Sequence, residues 1–215
     1  TKNYVYFGVV LFDGSIAKKI AKKIDGKFDV IFVDTEKKSY LNKKNIVVNV
    51  EKTIKQNIKK TYLRFFKAND ITVNAAEDFL GSFFKEEIRN LAGKKILIIG
   101  IGNIGFKLSL RLIERGCSIK LYRRDKRKLL EICKTINFIK PKGTLVKASP
   151  IKNLNKNLNK FDVIFCAADK RNVLKLSDKV KLKKNVLLID IGKGMFNTNA
   201  LKLLRERNIY VHRLD

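Results

Sequence analysis

The sequence predicts an α/β fold: a doubly wound parallel sheet preceded by a smaller α/β domain. Three observations predict it. An apolar, strand-like run at 94–99 enters Gly100, Gly102 and Gly105, spaced G-x-G-x-x-G, and apolar residues at helical spacing (Ile104, Leu108, Leu112, with Ile113 beside them) follow at once. Beyond Asp125, apolar runs at 161–168, 185–191 and 209–214 alternate with stretches of helical character. Residues 1–73 alternate in the same way on a smaller scale. The chain is therefore divided into a small α/β domain on the substrate side (1–73), a linking helix (74–92) and a dinucleotide-binding domain of the Rossmann type (93–215), with a crevice expected between the two domains.

Composition narrows the class. Of the 215 residues 45% are hydrophobic, enough for a real core. No run of 18 apolar residues and no signal-peptide pattern occurs, which points to a soluble, cytoplasmic protein without a membrane partner. Thr1 suggests a processed or trimmed N-terminus. Cys117, Cys133 and Cys166 are odd in number and none is near the single His212, which argues against disulfides and zinc, so no metal site is expected. The net charge of +28 fits nucleic acid or an anionic ligand, but it also fits a chain rich in Lys, Asn and Ile throughout. The lysines are spread along the outer faces of predicted helices, which favours the compositional reading; nucleic acid is not the expected partner, though the charge leaves it open. Arg is much scarcer than Lys, so adjacent arginines carry more information.

In the first domain, residues 4–11 (YVYFGVVL) read as a buried strand. Asp13-Gly14 is a turn and Ser15 the helix cap. Ile16, Ile20 and Ile24, with Ala17 and Ala21, make one helical face; Lys18, Lys19, Lys22 and Lys23 lie off it. Strands follow at 28–34 and 45–50, separated by a polar loop. Residues 51–67, including Tyr62, Leu63, Phe65 and Phe66, read as a helix, and 71–73 as a short strand. The linking helix opens with Asn74 and Glu77 as a capping-box pair. Its apolar face (Ala76, Phe79, Leu80, Phe83, Phe84, Ile88, Leu91) is too broad for an exposed linker, so it should pack between the domains.

In the second domain, Gly116 closes the helix after the glycine motif and a strand runs from Ser118 to Arg123. Residues 126–136 are helical, 138–148 hold a short strand broken by Pro141, and Pro150 with NLNKNLNK (153–160) is loop or weak helix. A fourth strand (161–168), a helix (170–180), a fifth strand (185–191), a helix capped by Asn197 or Asn199, and a sixth strand (209–214) complete the strand order 3-2-1-4-5-6.

The glycines have separate tasks in this setting. Gly100 makes the tight turn, Gly102 admits a pyrophosphate against the backbone, and Gly105 lets helix and strand pack closely. The helix start at Asn103 and Ile104 offers N–H groups and a positive dipole end to the phosphates. About 20 residues past the glycines stand Arg123 and Arg124, suited to a 2′-phosphate and so to NADP over NAD, with Asp125 as the alternative acidic partner. Ala167 and Ala168 end the fourth strand and let a cofactor lie close; Gly192 and Lys193 end the fifth. Lys193 is the candidate catalytic residue, polarising a carbonyl or holding a carboxylate, with a plain turn lysine as the alternative. Cys166 reads as a small core residue, and His212 ranks below Lys193 as an acid–base group.

Residues 71–125 (ITVNAAEDFLGSFFKEEIRNLAGKKILIIGIGNIG and onward) and 161–215 (through LLIDIGKGMFNTNALKLLRERNIYVHRLD) resemble the D-isomer-specific 2-hydroxyacid dehydrogenases. From 93 on, the chain is also similar to the cofactor domain of the dipicolinate synthases and, more distantly, to shikimate dehydrogenases. These resemblances imply hydride transfer between a nicotinamide cofactor and a small carboxylate substrate (a 2-hydroxy, 2-keto or imino acid); separately, a homodimer is expected. The first family's substrate-binding Arg falls on Lys193, and its catalytic Glu and His would lie beyond Asp215. That departure keeps a second class open, a non-catalytic NAD(P)-binding regulator that uses its basic surface on nucleic acid. A fragment lacking its catalytic tail is a third reading.

Overall fold

The computed structural model describes residues 5–11, 13–36, 50–154, 157–176 and 180–214. The chain divides into two compact units, Thr1–Ala68 and Asn69–Asp215.

The first unit pairs β1 (Val30–Asp34) with β2 (Tyr62–Phe66) in parallel, Val30 opposite Tyr62. Parallel neighbours need a crossover, and α2 (Val50–Asn57) lies within it. Ala21 of α1 (Gly14–Ile24), Val33, Ile54 and Ile58 form the core. Asp25 accepts the N–H groups of Lys59, Lys60 and Thr61, tying the end of α1 to the approach to β2.

Several expectations for this unit change. Asp13, not Ser15, caps α1: its carboxylate accepts the Ser15 and Ile16 N–H groups. Residues 5–11 form no strand; β1 pairs only with β2 among the described residues, and Val5, Tyr6, Phe7, Val9 and Val10 are exposed. Residues 62–66 are strand rather than helix, because α2 stops at Asn57 and the aromatic-rich YLRFF suits a sheet. The strand proposed at 45–50 falls outside the described residues except Val50, which begins α2.

From Asn69 on, α3 (Ala68–Phe83) belongs to the second unit, and it takes up 71–73 as helix. Val73, Ala76 and Leu80 bury one stripe at helical spacing, and that burial overrides the local strand preference of ITV. Asn74 and Glu77 therefore sit inside the helix instead of capping it, and both face α4 (Asn103–Glu114). Asn74 accepts from Arg111, Glu77 from Arg111 and Arg115, and Asp70 pairs with Lys107. The helix ends at Phe83 rather than 91; turns carry the chain to Gly93, at φ +82.

Six parallel strands follow: β3 (Lys95–Ile99), β4 (Ser118–Tyr122), β5 (Ala148–Pro150), β6 (Val163–Cys166), β7 (Leu187–Asp190) and β8 (Val211–Arg213). Their order, β5-β4-β3-β6-β7-β8, is the 3-2-1-4-5-6 arrangement. Alternate strand residues feed two cores, as a doubly wound sheet requires. Ile96, Ile98, Val163 and Phe165 face α3, α4 and α5 (Lys126–Ile139). Leu97, Ile99, Ile164 and Leu188 face α6 (Thr198–Glu206) and the connecting loops.

Two local readings differ here as well, and one pair of alternatives is resolved. The third strand of the sheet is Ala148–Pro150, not within 138–148, and Phe138 and Ile139 end α5. Pro150 is tolerated because β5 is an edge strand. Residues 170–176 form no helix: Asn172 is left-handed (φ 54), and Asn172 and Leu174 donate to the Gly194 and Met195 carbonyls. Asn197, not Asn199, caps α6 by accepting the Ala200 N–H. No described helix is long and apolar enough to cross a membrane.

Candidate dinucleotide site

The carboxyl edge of the sheet brings together the turns after β3, β4, β6 and β7. Ile96–Ile99 are buried, so β3 delivers Gly100 into a fixed position. Gly100 has φ +88, and a Cβ there would lie 2.6 Å from Ala168 Cα. A Cβ on Gly105 would lie 2.3 Å from the Gly100 carbonyl oxygen. Both positions thus demand glycine. Gly102 is different: it precedes α4 with no side-chain cap, and a Cβ there would meet nothing within 4 Å. The turn is closed where strand, helix and neighbouring loop meet and open at its middle glycine. Helix geometry leaves the first-turn amides at Ile104 and Gly105 without an intrahelical acceptor, at the positive end of α4. These residues fit a dinucleotide's pyrophosphate: an open position at Gly102, edged by N–H donors.

Arg123 follows β4 and donates from Nη1 to the Ile101 carbonyl at 2.6 Å, which fixes the guanidinium against the glycine turn. Arg124 is exposed. Asp125 accepts the Lys128 N–H as the cap of α5.

Ala168 is a wedge between two glycines. Gly100 packs on one side of its backbone; on the other, a Cβ on Gly192 would lie 2.4 Å from the Ala168 carbonyl oxygen. Ala167 is held by its N–H to Ile99. Lys193 pairs with Asp169 at 2.5 Å, their side chains 62% and 87% exposed. Its ammonium holds the Asp169 carboxyl below the usual range by hydrogen bond and charge.

Sequence reasoning missed three members of this edge: Ile101, whose carbonyl seats Arg123; Asp169, the partner of Lys193; and Asp190, whose carboxylate accepts from Gly192 and Met195. Only Asp190 left a signal, as the one polar residue in the buried strand LLID.

His212 is not part of the cluster. It lies on β8, separated from β3 by β6 and β7, with its ring 5.3 Å from Phe79 and 6.2 Å from Phe83. The cysteines are buried and free; burial pushes the Cys117 thiol up to about 12 and Cys166 to about 11, so neither is a nucleophile at neutral pH. No metal-binding group of His, Cys, Asp or Glu occurs among the described residues. A cavity of about 560 Å³, lined in part by Asn90, Leu91, Ala92 and Arg115, lies before the start of β3, at the opposite edge from the glycine turn.

A glycine turn of this geometry, in a parallel sheet of this order, defines an NAD(P)-binding domain of the dehydrogenase type. Residues 82–209, more than half of the chain, match the profile of the shikimate/quinate 5-dehydrogenases, and the chain belongs to that family. Curated relatives include the glutamyl-tRNA reductases of Nitratiruptor sp. (30% identical over 100 residues) and Thermosipho melanesiensis (30% over 107). The matches cover 46% and 50% of this chain but only 22% and 27% of those proteins, so the chain corresponds to about a quarter of their length. Among solved structures, a dipicolinate synthase from Bacillus subtilis has a TM-score of 0.53 at 14% identity, over 99% of this chain and 63% of that one. L-Tryptophan dehydrogenase from Nostoc punctiforme gives 0.52 at 13%, over 94% and 54%. These two likenesses are of fold.

Proposed function

We propose that the protein is an NADP-dependent oxidoreductase acting on the C=O or C=N carbon of a small carboxylate substrate. One observation carries the reading: the turn at Gly100–Gly105 is closed at two glycines and open at Gly102, beside α4's first-turn amides. The preference for NADP rests on Arg123, whose planar fork keeps donors beyond the one engaged by Ile101 and suits a 2′-phosphate. The bound nicotinamide would supply or accept a hydride at the carbon, with a proton moving to or from the substrate heteroatom. Gly102, Asn103, Ile104 and Gly105 would hold the pyrophosphate, Arg123 and Arg124 the adenosine end, and Ala167, Ala168 and Gly192 would let the cofactor lie against the strand ends. Lys193, steadied by Asp169 at the mouth of β6 and β7, would hold the substrate carboxylate or polarise the reacting carbonyl. Curated relatives that bear the name of a reductase support a redox role.

The test is a titration with NADPH and NADH, read by nicotinamide fluorescence, followed by 2-keto acids and imines as substrates. NADPH should bind more tightly, and Lys193→Ala should lower turnover without lowering NADPH affinity. Failure of both nucleotides to bind at millimolar concentration would overturn the proposal. A second reading, binding without turnover, draws on the exposure of both Lys193 and Asp169. Sustained hydride transfer to any member of the substrate panel rules it out.

A further inference from the structure

Asp190 ends β7, only 5% exposed, opposite Cys166 on β6. A carboxylate in such a place is costly unless its oxygens are bonded. Here Oδ1 accepts the Gly192 N–H at 2.9 Å and Oδ2 the Met195 N–H at 2.7 Å. No Lys or Arg pairs with it among the described residues. Its bonds therefore go to the two ends of one short loop, and Lys193 is carried between them. The same loop is gripped from outside. Ile191 donates to Cys166 and Lys193 to Ala168, while Gly194 and Met195 accept from Asn172 and Leu174. Gly192 leaves no room toward Ala168, and Gly194 holds φ +115.

A turn whose only task was to reverse the chain would not need a buried charge. Its backbone amides could be met by water or by a neutral acceptor. A carboxylate with both oxygens directed inward to backbone donors restricts the loop to one conformation, because each oxygen fixes a different end. We infer that Asp190 is the positioning residue for Lys193. It clamps the 191–195 loop so that the ammonium stands over the ends of β6 and β7, where the substrate would lie. The inference deepens the proposed redox function and rests on it for the role of Lys193; the clamp itself is independent of that reading.

Asp190→Asn keeps the shape but replaces one accepting oxygen with a donor, so one of the two loop amides loses its partner. Amide hydrogen exchange on the full chain should show Gly192 or Met195 exchanging roughly tenfold faster or more, with Leu187–Asp190 unchanged. The glycine turn takes no bond from Asp190, so its amides at Gly102, Ile104 and Gly105 should keep their native exchange rates. With any substrate the native chain turns over, kcat should fall about tenfold. Gly194→Ala strains the same loop through its positive φ without disturbing a buried charge, and should reproduce the loss of kcat. Unchanged exchange at both amides would overturn the clamp. So would equal loss of protection along β7, which would make Asp190 a general support of the sheet. Altered exchange with undiminished kcat in both variants would leave Lys193 in no need of positioning and defeat the inference. If the native chain binds neither nucleotide, the redox reading fails while the exchange result still decides the clamp.

Discussion

Gly102→Ala separates fold from ligand at a single atom. The added methyl meets nothing within 4 Å, and the backbone at φ −93 and ψ −154 is extended. Replacing glycine lowers unfolded-chain entropy, worth about 0.4–1 kcal/mol, while alanine is the poorer residue before a helix. The two effects oppose, so stability should change by less than about 1 kcal/mol. The ligand meets a different situation. The methyl occupies the open side of the turn, where a pyrophosphate must approach the backbone. Overfilling a close-packed contact costs about 1–3 kcal/mol, and each 1.4 kcal/mol is about a tenfold change in Kd. NADPH affinity should therefore fall between about fivefold and 150-fold, with the melting temperature moved by less than about 4 °C. The comparison variant is Gly100→Ala. There φ is +88 and the new Cβ would lie 2.6 Å from Ala168 Cα, so the fold itself should lose about 2 kcal/mol or more. Fluorescence titration and thermal melts of both proteins read the two effects separately. NADPH binding to Gly102→Ala within twofold of the native chain would refute the reasoning.

Arg123→Ala should weaken NADPH by about tenfold to a hundredfold, the worth of a charge-assisted bond, and leave NADH nearly unchanged; equal losses for both would remove the 2′-phosphate role. Glu77→Gln should cost about 1 kcal/mol by chemical denaturation, since it halves the negative side of the clamp between α3 and α4 and its arginines are partly exposed. Burial raises the Glu77 pKa, but the bonds from Arg111 and Arg115 outweigh it and hold the group below its ordinary 4.5; its contribution is present above that value and is lost as pH falls through the lower folded one. Cys117 and Cys166 act at the other end of the scale. Burial raises them from 9.0 to about 12 and about 11, so stability is fully present below pH 9 and declines as pH rises toward those values. Denaturation followed from pH 8 to 11 checks this, and a flat profile contradicts it.

The region around β3, α4 and β4 was legible because each level agreed there: apolar strand, obligatory glycines, helical spacing, second strand. The positions needing glycine are covalent-scale constraints, and such constraints appear directly in sequence. Segments failed where tertiary bonds outweighed local preference. ITV reads as strand alone, but Val73, Ala76 and Leu80 share a buried helical stripe. KRNVLKL reads as helix alone, but its backbone bonds to the Gly194–Met195 turn, brought beside it only by the fold. The reverse error at YLRFF came from a run whose spacing suits either period, settled by pairing with β1. The site followed the same rule. Glycines and Arg123 could be placed by counting, whereas the Ala168 wedge depends on which strands lie adjacent, and the Asp190 bonds on a loop that returns the Gly192 and Met195 amides to one carboxylate.

The most direct measurement follows backbone amide resonances while NADPH is added to the native chain. Amides at Gly102, Asn103, Ile104 and Gly105 should shift together and saturate, at lower concentrations of NADPH than of NADH. If these four stay fixed at millimolar nucleotide, the start of α4 grips no phosphate and the redox account falls with it.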